Sequence, residues 1–340
     1  MKPKFFFPLF VLAAAAIAAE PPASENSALR LVGKISVPGM TGTWDHIGAD
    51  GTGGRLFCNA QDIHALEVLD LRAQRVMRAV TGPFNRNQGI AFLPDLKKIV
   101  ISNGRSGLCV VLNSDTLEPG KSIGVGLGAD LMAYDAATKL LYVDHGGRDS
   151  NRGFGAVAII DLAKDELVAD LPTDLRPAAM AIETRGPRLF VCIPSANQVA
   201  VIDRPTQKIS AHFDIIGTQK PVSITLDEAS HRLFVLTRTP AKLVVLDSDT
   251  GRTVAALDGV GEAEDVSFDA IHRRIYTTGL EGVIHVYQQR GTDAYELVAK
   301  IPTKPHAGTS VWIPELNRFC VAVAQHEQAA PEIWLFEPAP

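Results

Sequence analysis

From residue 29 onward, apolar residues fall in short runs rich in Val, Ile, Leu and Phe, divided by Gly, Pro, Asp and Asn. Runs of this kind predict β-strands and turns, and no stretch sustains the 3.6-residue period of a helix. One run recurs. A basic or polar residue followed by apolar or aromatic residues appears as GRLFC (54–58), KKIVI (97–101), KLLYV (139–143), PRLFV (187–191), HRLFV (231–235), RRIYT (273–277) and NRFCV (317–321), at steps of 42 to 48 residues. Before each lies an alternating segment closed by a turn, such as GIAFLPD, AMAIETRG or SITLDEASH. After it comes a third strand often ending in an acid, as in LEVLDL, VAVIDR and LVVLDS, and then a turn and a fourth strand, as in DSDTGRTVAAL.

Four antiparallel strands in a unit of this length predict a β-propeller blade. A single blade cannot bury both its faces, so the units must pack around a common axis. The expected fold is all-β, a seven-bladed β-propeller over 29–340, preceded by a signal peptide at 1–19 and a short linker at 20–28. The last unit stops at its third strand, IWLFEP, while the segment LRLVGKISV (29–37) resembles the fourth strand of other units. It is expected to complete the last blade and close the ring, which removes an exposed edge. An open solenoid is the alternative, but it would want capping repeats, and none is present.

The third and fourth strands NQVAVIDRPTQKISAHF and AKLVVLDSDTGRTVAAL, the LFV second strands and the count of seven units resemble the YVTN-repeat, YncE-like family of exported propellers. The resemblance covers nearly all of the mature chain, although LFVLT and LFVCI stand where the YVTN tetrapeptide would be. It implies a seven-bladed fold and export, and it names no reaction.

Export is also written in the first residues. Lys2 and Lys4 precede an apolar run from Phe5 to Ile17, too short to cross a bilayer, and Ala16, Ala18 and Ala19 offer cleavage points. An uncleaved N-terminal anchor is the alternative. No second apolar stretch approaches a membrane span, so a periplasmic protein is expected. With 33 Lys and Arg against 38 Asp and Glu, the net charge of −5 supplies no positive field to hold a nucleic acid. Cys58, Cys109, Cys192 and Cys320 lie inside apolar runs without C-x-x-C or zinc-ribbon spacing, which predicts buried thiols; one bridge between neighbouring units is the alternative.

Candidate chemistry gathers on one face. In a blade, the loop leading into the first strand and the loop after the second open together around the axial channel. Counting back from each second-strand motif aligns Asp45, Gln88, Asp130, Ala178, Val222, Glu264 and Gly308, with His46 and Asp265 one position on. The rim adds His306, Arg238, and His145 and Arg148 from the long loop HGGRDSNRGFG (145–155), whose guanidinium groups would suit a carboxylate or phosphate. The opposite face carries common hairpin turn residues such as DGTGG and DSDTG.

Three readings stand for the rim. A metal ion could be held by His46 and His306 with neighbouring carboxylates, making a bound metal the cofactor candidate. Paired carboxylates could serve acid–base chemistry. Asp45, Asp130 and Glu264 could instead bond nearby backbone amides. The expected function is ligand binding at the channel mouth, with a small anionic molecule or another envelope protein as partner. The alternative is a metal- or cofactor-dependent hydrolase, lyase or oxidoreductase at the same face. A calcium loop at 247–258 lacks its glycine, Gly124, Gly126 and Gly128 lead into no helix, and there is no G-x-S-x-G.

Overall fold

The computed structural model describes residues 28–147, 153–326 and 329–339. Within them the repeats form seven four-stranded antiparallel sheets. The first strand, β1 (Leu29–Ser36), belongs to the last sheet. Blade 1 is β2 (Trp44–Asp50), β3 (Arg55–Ala60), β4 (Ala65–Asp70) and β5 (Arg75–Thr81), and blade 2 is β6 (Asn87–Leu93), β7 (Lys98–Asn103), β8 (Leu108–Asn113) and β9 (Pro119–Gly124). Blade 3 is β10 (Met132–Asp135), β11 (Leu140–Gly146), β12 (Gly155–Asp161) and β13 (Glu166–Pro172), and blade 4 is β14 (Met180–Ile182), β15 (Arg188–Ile193), β16 (Gln198–Asp203) and β17 (Lys208–Asp214). Blade 5 is β18 (Gln219–Asp227), β19 (Arg232–Thr239), β20 (Ala241–Asp247) and β21 (Thr253–Asp258), and blade 6 is β22 (Ala263–Asp269), β23 (Arg274–Gly279), β24 (Val283–Gln289) and β25 (Tyr295–Pro302). Blade 7 is β26 (Ser310–Ile313), β27 (Arg318–Val323) and β28 (Glu332–Pro338), completed by β1.

The first strands of the blades touch one another in a closed circuit, which makes them the inner wall of the ring. Closure is the one expected from the sequence: β1 pairs antiparallel with β28, Leu29 opposite Pro338 and Ser36 opposite Glu332. The chain ends thereby seal the last blade, and Leu29 and Ile35 are buried in doing so. The signal peptide at 1–19 and nearly all of the linker lie outside the described residues. Among those described, no helix is long and apolar enough to cross a membrane.

Apolar alternation explains the stacking. Each second and third strand is buried on both faces, so one set of side chains meets the blade before and the other the blade after. The result is one apolar cluster per interface: Cys58 and Leu56 with Cys320 and Leu335, for example, or Phe190 and Val201 with Leu233 and Val244. Every pairing of a third with a fourth strand carries a register break, as at Val68/Leu69 and Val245/Leu246, a device that disrupts the ladder next to the exposed edge. The four cysteines are buried free thiols, so no bridge joins neighbouring blades; burial pushes Cys109 and Cys320 up to about 12.

The basic residue that opens the repeat motif has a structural task. Arg55 holds Asp50 at 2.9 Å and reaches the Ser114 carbonyl of blade 2 at 2.6 Å. Lys98 bonds the Leu162 carbonyl of blade 3 at 2.7 Å, and Arg188 the Ser248 carbonyl of blade 5 at 2.6 Å. Arg232 pairs with Asp293 of blade 6 at 2.7 Å, and Arg274 reaches the Ala28 and Ala339 carbonyls of blade 7 at 2.9 and 2.7 Å. Blade 3 has Leu140 at this position, and there Arg204 of blade 4 pairs with Asp135 instead. In blades 1, 2, 4, 5 and 6 the motif thus encodes a latch to the next blade as well as a strand, whereas Arg318 of blade 7 pairs with Glu337 of its own sheet.

Candidate functional site

At the opposite end of the first strands, the aligned polar positions converge. Asp45 and His46 follow Trp44 at the start of β2, Asp130 precedes β10, and Glu264 and Asp265 lie near the start of β22. His46 Nε2 lies 3.3 Å from Asp45 Oδ1 and 3.5 Å from Asp130 Oδ1. Three contacts fix the surrounding carboxylates: Gln61 donates to Asp45 Oδ2, Arg176 donates to Asp130 Oδ2 at 2.9 Å, and the Ser310 amide donates to Asp265 at 2.7 Å. Arg238 holds the Ala263 carbonyl at 2.9 Å and Glu264 at 2.6 Å. Ala178 and Val222, the apolar members of the aligned ring, leave room beside this cluster. A cavity of about 580 Å³ opens there, lined by Asp130 and Glu264 with their partners Arg176 and Arg238, and by His46 and Lys220.

Burial and crowding set unusual protonation at this mouth. Burial pushes Asp45 up to about 6, with the His46 charge opposing and the Asp130 charge adding. It also pushes Glu264 up to about 7 against Arg238, and it raises Asp265. Burial works to lower His46, but Asp45, Asp130 and Asp265 outweigh it and hold the imidazole well above its ordinary value. Asp130, despite its burial, is held low by His46, Arg176 and Arg86.

Asp144, on β11, is 1% exposed, and neither of its carboxylate oxygens has a hydrogen-bond partner. Burial and the Asp130 charge push it well above the carboxylate range. Asp144 and Arg176 were missed by sequence reasoning. The sign of the first is an acid closing an otherwise apolar second strand, LLYVD; the second lies in a loop between blades, outside the aligned register.

Other expected rim residues stand apart. Gln88 is buried with its side-chain oxygen beside Gly104, and that oxygen has no partner. His145 is 4% exposed and bonds Asp170 at 2.8 Å in a separate cleft lined by Ser106, Gly126 and Phe154. His306 is exposed, its backbone amide bonded to the Leu280 carbonyl, and it is not part of the cluster around His46. Arg148 lies outside the described residues. Trp44 is a packing residue whose indole donates to the Val323 carbonyl of blade 7 at 3.1 Å.

The fold has many counterparts among solved structures. Hydrazine synthase of Kuenenia stuttgartiensis superposes with a TM-score of 0.73 at 18% identity, over 90% of this chain and 96% of that one. The WD40 repeats of RRP9 superpose with a TM-score of 0.75 at 14% identity, over 94% and 99%. A chain of the mitotic checkpoint complex does so with 0.73 at 12% identity, over 97% and 98%. At these identities the likeness is one of fold, a seven-bladed β-propeller, and propellers host unrelated functions. No protein-family model matches the chain, and no curated protein matches its sequence.

Proposed function

We propose that this chain is an exported, periplasmic propeller of the YncE-like kind that binds a small anionic molecule at its channel mouth. The observation that carries the reading is the cavity beside His46, whose lining brings together Arg176, Lys220 and Arg238. Guanidinium and ammonium donors suit a carboxylate or phosphate. The lining carboxyl Glu264, raised to about 7, carries a proton for part of the neutral range and then adds no negative charge to repel an anion. The cavity volume fits a small molecule rather than a polymer.

Calorimetric titration of the mature protein with small di- and tricarboxylates and with phosphate monoesters tests this. A saturable ligand is expected, weakened at least about tenfold by Lys220→Ala and by Arg238→Ala. Absence of binding across the panel, or binding indifferent to both substitutions, defeats the reading. For export, the N-terminal sequence of the periplasmic protein should begin after Ala19, and a cytoplasmic protein retaining Met1 would contradict it.

A further inference from the structure

The centre of the cluster has spacings that match a coordination shell as well as an ion pair. A charge-assisted N–H to carboxylate bond settles at about 2.7–2.9 Å. The two His46 Nε2 separations, 3.3 and 3.5 Å, are both longer. Donor atoms placed about 2.0–2.2 Å from a tetrahedral ion are instead about 3.4 Å from one another. One donor atom from each of Asp45, His46 and Asp130 lies within 4.8 Å of the others.

The surroundings orient these donors. Gln61 occupies Asp45 Oδ2 and Arg176 occupies Asp130 Oδ2, so the Oδ1 atoms face the imidazole, that of Asp45 with one lone pair taken by the His46 amide at 3.0 Å. Outer contacts that fix a ligand's free atom are what a metal site requires. Asp130 Oδ1 is buried with no hydrogen-bond partner. Independently, the neighbouring Asp144 is a fully enclosed carboxylate with both oxygens unpartnered. A buried acid without a partner is costly, and a cation close by is the compensation that chemistry offers.

We propose that Asp45, His46 and Asp130 hold a divalent first-row transition ion, with Asp144 as its buried counter-charge. One imidazole and two carboxylates suit Zn²⁺ or Mn²⁺, whereas Cu⁺ seeks sulfur and Ca²⁺ an all-oxygen shell. Three protein ligands leave a coordination position open, and an oxygen of the anionic ligand completes it from the cavity. That last step rests on the binding function proposed above; the ion site does not.

The test is calorimetric titration of mature protein, stripped with EDTA and dialysed, with ZnCl₂ and separately with MnCl₂. At least one ion is expected to bind at one equivalent, with an affinity reduced about 100-fold or more in Asp130→Asn and in His46→Gln, and about tenfold in Asp144→Asn. Circular dichroism checks that each variant keeps its strands, and if Asp130→Asn does not fold, His46→Gln carries the same test. Failure of wild type to bind either ion overturns the proposal, as does undiminished binding by the substituted proteins. Carboxylate or phosphate binding of equal strength with and without the ion removes the ion's part in recognition and leaves the binding function standing. Ion binding with no anion bound in either state upholds the ion site and defeats the binding function.

Discussion

The two ends of the ring use the same acidic residues to opposite effect. At the turn end, Glu228 of blade 5 accepts the Thr184 hydroxyl at 2.6 Å and the amides of Thr184, Arg185 and Gly186, all in blade 4. Burial works to raise it, but these donors together outweigh burial and hold it down to about 2. Burial likewise works to raise Asp247, but the Thr250 hydroxyl, turn amides and Arg232 hold it low. At the mouth, Asp45, Asp144, Glu264 and Asp265 are all raised, with burial as the leading cause. A carboxylate whose lone pairs are satisfied by its own fold serves stability; one that is buried without enough donors is kept at a cost and is available to something else.

Opening the ring would erase that contrast, so the largest effect is expected from removing residues 1–36. The variant loses the β1–β28 pairing and the burial of Leu29 and Ile35. A loss of about 5 kcal/mol or more is expected in denaturant unfolding, from two large apolar side chains and a full strand ladder. Next comes a matched pair of arginines. Arg188, at the turn end, is 23% exposed and bonds Glu183, Asp249 and the Ser248 carbonyl. Arg188→Ala should cost about 2–3 kcal/mol, because it leaves a buried carboxylate and a carbonyl without their donor. Arg238→Ala at the mouth, where the arginine is 38% exposed, should stay within about 1 kcal/mol. Equal losses in the two variants would dissolve the distinction between the ends.

A smaller effect sharpens it through pH. Glu228 has a folded-state value of about 2 against an ordinary 4.5. Its contribution is therefore complete above about pH 4.5 and is lost as the pH falls through 2. Glu228→Ala should lower stability by about 1 kcal/mol at neutral pH, and its unfolding curve should converge on that of wild type near pH 2. A difference that is independent of pH would mean the loss comes from packing.

The fold was legible because the hydrophobic pattern repeats seven times, and even the closing role of β1 could be read from a missing fourth strand. The reason for the basic residue in each motif was not, since Arg55 and Arg188 act on carbonyls some sixty positions away that only blade stacking brings near. At the mouth, counting register placed Asp45, His46, Asp130, Glu264 and Asp265 correctly, because equivalent positions in equal blades lie at equal depth. Where geometry departs from the repeat, counting lost its hold. Asp144 and His145 are adjacent on one strand and so face opposite sides of blade 3. The histidine is committed to Asp170, while the aspartate, hidden in an apolar run, lies within reach of the His46 and Arg176 charges.

On the binding function proposed above, the mouth carboxylates are retained at the expense of stability. The most direct measurement is urea unfolding at neutral pH of metal-free Asp45→Asn/Asp144→Asn beside wild type. Asparagine keeps the shape and removes the cost of burying an acid that is ionised in the unfolded chain, so the double variant should be at least as stable as wild type, by about 1 kcal/mol, while losing its ligand. A double variant several kcal/mol less stable than wild type would show that these carboxylates hold the ring together, and would contradict the account.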